Sequence, residues 1–135
     1  MYLHGPMPEH IHLSPTDTTP EVLFDPVAGV LELEGCSIHE NPEAFFRPLL
    51  DGVEKYIGQP APHTVIKVAL EYFNSSSSKY LLDLLKIMDR LYGSDKGTVE
   101  MQWFHAPDDL DLKEAGQDYG TLLDMPVKLI SGPLR

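Results

Sequence analysis

Four consecutive serines, Ser75 to Ser78, stand between the alternating segment Leu70-Glu71-Tyr72-Phe73-Asn74 and the apolar helical stretch that opens Lys79-Tyr80-Leu81-Leu82. A hydroxyl cluster where a strand gives way to a helix offers nucleophilic oxygens to a phosphoryl donor. The first N–H groups of a helix lack intrahelical partners and the macrodipole there is positive, so a phosphate added at this junction is stabilised. Serine is also a favoured N-cap, and any one of the four could serve only to close the helix. One cap needs one serine, so the run exceeds what capping demands.

Other residue types with chemical potential are sparser. His10 and His12 share one side of an extended segment, a spacing that could hold two ligands of a metal; without a third ligand placed by sequence, the plainer reading is a pair of solvated edge-strand histidines. Asp108, Asp109, Asp111, Glu114 and Asp118 could bind Mg²⁺ or supply acid–base pairs, but their spacing does not match a calcium loop. Favourable charge at a helix N-terminus and a solvated acidic face account for them. There is no glycine-rich phosphate loop, no Gly-x-Ser-x-Gly elbow and no His-Glu-x-x-His signature. Trp103, Phe104 and His105 read as core and rim of a sheet. No metal and no cofactor are assigned.

The elements that must position the serines follow from the hydrophobic pattern. Pro6, Pro8, Pro15 and Pro20 interrupt any regular ladder in the first 20 residues, of which residues 1–15 read as a flexible arm with Ile11 and Leu13 suited to a short edge strand. Val22 and Phe24 alternate with Glu21, Leu23 and Asp25, Pro26-Val27-Ala28-Gly29 reads as a turn, and Val30-Leu31-Glu32-Leu33-Glu34 alternates again, giving a hairpin ended by Gly35. Asn41-Pro42 opens a helix with Phe46, Leu49, Leu50, Val53 and Tyr56 at helical spacing, and Pro48 predicts a kink or break near Arg47. Thr64 to Phe73 is the strongest strand, with Ile66, Val68, Leu70 and Tyr72 on one side. The helix after the serines carries Leu81, Leu84, Leu85, Met88 and Leu91 on one face and stops at Gly93-Ser94. A strand from Thr98 to Phe104, an acidic helix over 108–118 and a strand over 127–130 complete the chain. The fold class is α/β in one domain spanning 1–135: a mixed sheet with a parallel βαβαβ half, an added N-terminal hairpin, and helices mainly on one face.

Composition narrows the partners. The 135 residues suit a single core, and 42% hydrophobic residues is ordinary for a globular domain. A net charge of −11, from 21 acidic and 10 basic residues, disfavours nucleic acid and anionic membrane surfaces. The lone Cys36 cannot form an internal disulfide, Met1 to Pro6 lacks the pattern of a secretory signal, and no apolar run is long enough to span a bilayer; the expected location is the cytoplasm.

Longer motifs are more specific. Thr18-Thr19-Pro20 with Phe24-Asp25, Gly29 with Leu31-Glu32-Leu33-Glu34-Gly35-Cys36-Ser37, Glu40-Asn41-Pro42 leading to Phe45-Phe46-Arg47-Pro48-Leu49, Tyr72-Phe73-Asn74 with the serines and Lys79, and Glu114-Ala115-Gly116-Gln117-Asp118-Tyr119 together resemble the SiaC family of bacterial regulatory phosphoproteins over most of the chain. The resemblance implies a non-enzymatic adaptor in biofilm and cyclic di-GMP signalling. It would be phosphorylated by a Ser/Thr kinase, dephosphorylated by a PP2C-type phosphatase, and would bind and activate a diguanylate cyclase when unmodified. In the family the acceptor hydroxyl, a threonine in one member, directly follows the strand-end asparagine, which places it on Ser75. The change to serine keeps Ser76 and Ser77 as alternative acceptors, and Asn74, Ser76, Ser77 and Lys79 make up the expected recognition surface. Two other readings stand beside it. A STAS-like anti-sigma-factor antagonist also presents a serine at a helix start, although its Asp-Ser-x-Gly signature is absent here, and a small metal-dependent enzyme would use His10, His12 and the acidic cluster.

Overall fold

The computed structural model describes residues 9–135. The segment on which the secretory-signal reading was made lies outside the described residues. Strand β1 (Ile11–Leu13) pairs antiparallel with β2 (Glu21–Asp25), which pairs antiparallel with β3 (Val30–Ser37). The chain then runs through α1 (Pro42–Gly58), β4 (His63–Phe73), α2 (Ser75–Tyr92), β5 (Thr98–His105), α3 (Leu110–Leu122) and β6 (Val127–Ser131). The strands form one six-stranded sheet in chain order, with β3, β4, β5 and β6 parallel.

That order fixes where the helices go. Each of the three crossovers joins neighbouring parallel strands and steps the same way across the sheet, and the right-handed rule then puts α1, α2 and α3 on one face. Burial alternates accordingly. Val22, Phe24, Leu31, Leu33, Ile66, Val68, Val99, Met101 and Trp103 face the helices and are at most 3% exposed, packed against Phe46, Leu49, Val53, Leu81, Leu84, Leu85 and Met88. The other face carries Glu32, Glu34, Lys67, Glu100, Gln102 and Lys128, as a half-polar sheet side requires.

Two close approaches depend on glycine. The β2–β3 turn closes with Gly29 N–H on Asp25 O at 2.9 Å while Asp25 Oδ1 accepts from Val27 and Ala28 N–H; Gly29 has φ 74°, and a Cβ there would lie 2.3 Å from His63 O. Gly116 lets α3 lie directly on Trp103, whose indole N–H donates to Leu112 O at 2.9 Å.

Three local expectations are corrected. Helix α1 continues through Pro48 without the break, since only one ladder bond is lost there and Phe46, Leu49 and Leu50 hold the helix to the core on either side. Strand β3 continues past Gly35 to Ser37, since its parallel partner β4 extends alongside it. In β4 the alternation fails at its end: Gly35 pairs with Leu70 but Cys36 pairs with Tyr72, leaving Glu71 as an extra residue. This bulge turns Tyr72 outward, 70% exposed, and swings Phe73 onto the helix side against Trp103, reversing the faces expected from strict period two.

Candidate functional site

The bulge leads straight into the serine run, and Asn74, not a serine, caps the helix. Asn74 is extended (φ −85°, ψ 174°), its Oδ1 accepts from Ser77 N–H at 2.9 Å, and its backbone N–H donates to Ser37 O at 3.1 Å. The cap is therefore tied to the end of the neighbouring strand β3. With capping supplied by Asn74, the four serines become four different positions on the first helical turn.

Ser75 and Ser76 are exposed, and among the described residues neither hydroxyl makes a hydrogen bond. Ser77 is 1% exposed and accepts a hydrogen bond from the Ser37 hydroxyl at 2.9 Å. An enzyme could reach it only by opening the helix end. Ser78 is half-buried: its N–H donates to Asn74 O, its Oγ lies 2.8 Å from the Tyr119 hydroxyl, and that hydroxyl donates to Ser78 O at 3.1 Å. Lys79 is exposed one position further along.

The turn is braced from three sides. Phe73 meets Trp103 and Tyr119, Tyr80 stacks on Phe46 of α1 with ring centroids 5.7 Å apart, and Tyr119 reaches over from α3. Burial pushes the Tyr119 phenol up from its ordinary value, with the Ser78 hydroxyl acting in the opposite direction, so it stays a neutral donor. Ser37 and Tyr119 had no role assigned from the sequence. Both lie in the motifs that carry the family resemblance, at the ends of Gly35-Cys36-Ser37 and Glu114-Tyr119.

Because their preceding strands are parallel, all three helices begin at the same edge of the sheet. Helices α1 and α3 have Glu43 and Asp111 in their first turns, whereas the first turn of α2 has no acidic residue. The first turn of α2 thus supplies no carboxylate of its own beside two exposed hydroxyls.

The rival constellation is pulled apart. His10 and His12 sit on and beside the edge strand β1, near Asp25 and Glu21 at 3.4 Å each, while the acidic helix packs against β5 and β6 at the other side of the sheet. Asp109 is the N-cap of α3, accepting from Leu112 N–H at 3.0 Å. No group of three or more metal-ligating side chains is gathered among the described residues.

Comparison with known proteins agrees with this geometry. A protein of Pseudomonas aeruginosa strain UCBPP-PA14, described as uncharacterized, is 27% identical over 95 residues, 70% of this chain and 75% of its own length. Apo-SiaC from Pseudomonas aeruginosa superposes with a TM-score of 0.83 at 24% identity, covering 91% of this chain and 99% of SiaC. SiaC in the crystal structure of the diguanylate cyclase SiaD with its activator SiaC, from the same organism, gives a TM-score of 0.85 at 23% identity over 90% of this chain and 99% of that one. Residues 13–132 match the family described as SiaC family regulatory phosphoprotein, so the chain belongs to the SiaC family.

Proposed function

We propose that this chain is a non-enzymatic switch protein that binds and activates a diguanylate cyclase when unmodified and is released by phosphorylation of Ser75. A Ser/Thr kinase and a PP2C-type phosphatase would set the two states. The observation that carries the reading is the division of labour in the serine run: Asn74 caps the helix, Ser77 and Ser78 are held by Ser37 and Tyr119, and Ser75 is left exposed at the first helical position. Solved SiaC in complex with SiaD supports a cyclase as the effector.

The physics of the switch is local. A phosphoserine carries roughly −1.5 to −2 charges at neutral pH and three strong acceptor oxygens. The helix end, empty of acid in its first turn, would stabilise it by up to ~2 kcal/mol. An apolar or acidic partner surface docked over the same turn would instead bury a dianion without a counter-charge, at a cost of several kcal/mol. Each 1.4 kcal/mol is about tenfold in affinity, so the complex dissociates while the fold remains. Asn74, Ser76 and Lys79 then belong to the recognition surface, and Ser77 supports it from within.

The test is fragment mass spectrometry on protein isolated from its native cells with phosphatases inhibited, followed by cyclase binding of the two forms. One phosphate on Ser75 and loss of binding in that form is the expected result. Phosphate found only on another residue, or equal binding by both forms, would overturn the assignment.

A further inference from the structure

Strands β4 and β5 separate before either one ends. Their register runs from His63 opposite Thr98 to Val68 opposite Trp103 and stops there, yet β4 continues to Phe73 beside β3, and β5 to His105 beside β6. The sheet is therefore split between its two middle parallel strands at their carboxyl ends. Open α/β sheets hold ligands in a crevice at that end, usually made by a reversal of strand order; here the split makes it. Phe73, carried to the helix side by the bulge, meets Trp103 with ring centroids 6.0 Å apart. The cavity in the split measures about 260 Å³ and is walled by Leu70 and Glu71 of β4, Phe104 and His105 of β5, Leu112 of α3, and the chain after β6. A cavity of ~150 Å³ takes benzene, so this one has room for a single ring with a polar substituent.

Every polar side chain in its wall presents an acceptor. Glu34 and Glu71 supply carboxylates, and neither is ion-paired among the described residues. His105 is only 7% exposed, and its Nδ1 lies 2.9 Å from Ala106 O. A carbonyl only accepts, so Nδ1 holds the ring hydrogen and Nε2 of the neutral ring presents a lone pair. That lone pair has no partner among the described residues, although Nε2 is not sealed from solvent. The rest of the wall is apolar, and among the described residues no lysine, arginine, hydroxyl or amide side chain lines it. A ligand that satisfies three acceptors brings several N–H groups, and on a chain of net charge −11 it brings a positive charge. The three are not gathered into a metal site among the described residues, so the cation that spans them is larger than an ion.

We infer that the split between β4 and β5 is a binding site for a small organic cation, an ammonium or amidinium group carried on a compact apolar body. Its N–H groups donate to His105 Nε2 and to the carboxylates of Glu34 and Glu71, and its apolar body lies against Phe104. Nothing in this site depends on the serine switch.

The test uses the full chain with benzamidine as probe, benzamide as its neutral counterpart of the same shape and benzoate as the anion, each followed by amide NMR shifts. Benzamidine should give saturable shifts centred on Leu70, Glu71, Phe104 and His105 at millimolar concentration. It should bind about tenfold or more tightly than benzamide, since its hydrogen bonds to the carboxylates are charge-assisted, and benzoate should not saturate. Glu34→Gln combined with Glu71→Gln keeps side-chain size and should bring the benzamidine and benzamide affinities within about twofold of each other. His105→Phe keeps a ring in place but removes Nε2, and should weaken benzamidine severalfold, with unchanged shifts in β2 and β3 as the check on folding. Equal binding of benzamidine and benzamide, benzamidine shifts that never saturate or centre elsewhere, or a cation preference that survives the double substitution would overturn the inference.

Discussion

Substituting alanine at each of Asn74 to Ser78 should divide a run of like residues into unlike energetic classes. Asn74→Ala removes the acceptor of Ser77 N–H and should cost about 1 kcal/mol, the usual worth of a cap. Ser77→Ala strands the buried Ser37 hydroxyl, a loss of ~1–3 kcal/mol, offset by up to ~0.5 kcal/mol of helix propensity. Ser75→Ala and Ser76→Ala touch nothing and should stay within ~0.5 kcal/mol. For a chain of this size 1 kcal/mol corresponds to roughly 4 °C, so thermal and urea unfolding both resolve the classes. The Ser37→Ala, Ser77→Ala pair should recover part of the single-site loss, since no hydroxyl is then left unpaired, and the cycle should report a coupling of ~0.5–3 kcal/mol. A loss at Ser75→Ala as large as at Asn74→Ala or Ser77→Ala would refute the reasoning, because Ser75 would then be a structural cap and not a free acceptor.

Ser75→Asp should raise unfolding stability by ~0.3–1 kcal/mol in low salt, and less in high salt, while weakening cyclase binding; calorimetry of each variant with and without the cyclase checks both. Gly116→Ala would place a Cβ 2.4 Å from Trp103 Cδ1 and should destabilise by ~1–3 kcal/mol, visible in denaturant and as a shift of the single tryptophan's fluorescence. Glu100 is held below the usual carboxylate range, first by the hydrogen bond from Gln102 and then by Lys128. Its folded pKa lies below its unfolded one, so its contribution is present above the ordinary glutamate value and is lost as pH falls through the lowered one; Glu100→Gln should flatten the acid limb of a stability–pH profile. Tyr119→Phe should free Ser78 from α3 and remove from an alkaline absorbance titration a tyrosine that ionises above the ordinary phenol value, since burial raises that phenol.

Most of the architecture was legible because the signals were local and mutually consistent. Period-two alternation in β2, β3 and β5, helical spacing in α1 and α2, and Asn41-Pro42 and Gly93 at helix ends all pointed to the observed elements. What escaped depended on neighbours in space. The continuation of β3 past Gly35 exists because β4 lies beside it, and the inversion of Tyr72 and Phe73 comes from one extra residue opposite Cys36, which no pattern within β4 signals. Helix α1 continues past Pro48 because Phe46, Leu49 and Leu50 on either side of it are packed in the core, which is a matter of tertiary contact. At the site, the strand-to-helix junction followed from the pattern, and Ser75 was singled out by the family resemblance alone. The inward-facing Ser77 did not, because its partner Ser37 is 40 residues away, nor did the brace from Tyr119, 41 residues beyond Ser78.

The anchoring of this turn at both ends also constrains how the gene can vary. A tract of four identical residues looks free to lengthen or shorten, and a fifth serine would leave the charge unchanged. Yet Asn74 is bonded to Ser37 at one end and Tyr80 is stacked on Phe46 at the other. Each inserted residue would rotate everything after it by about 100° around the helix axis. Tyr80, Leu81 and Leu84 would leave their neighbours, and the spacing that sets Ser77 on Ser37 and Ser78 on Tyr119 would no longer match the helix that follows. Substitutions at Ser75 and Ser76 are physically inexpensive, whereas an insertion or deletion anywhere in the tract puts the whole of α2 out of phase with the core.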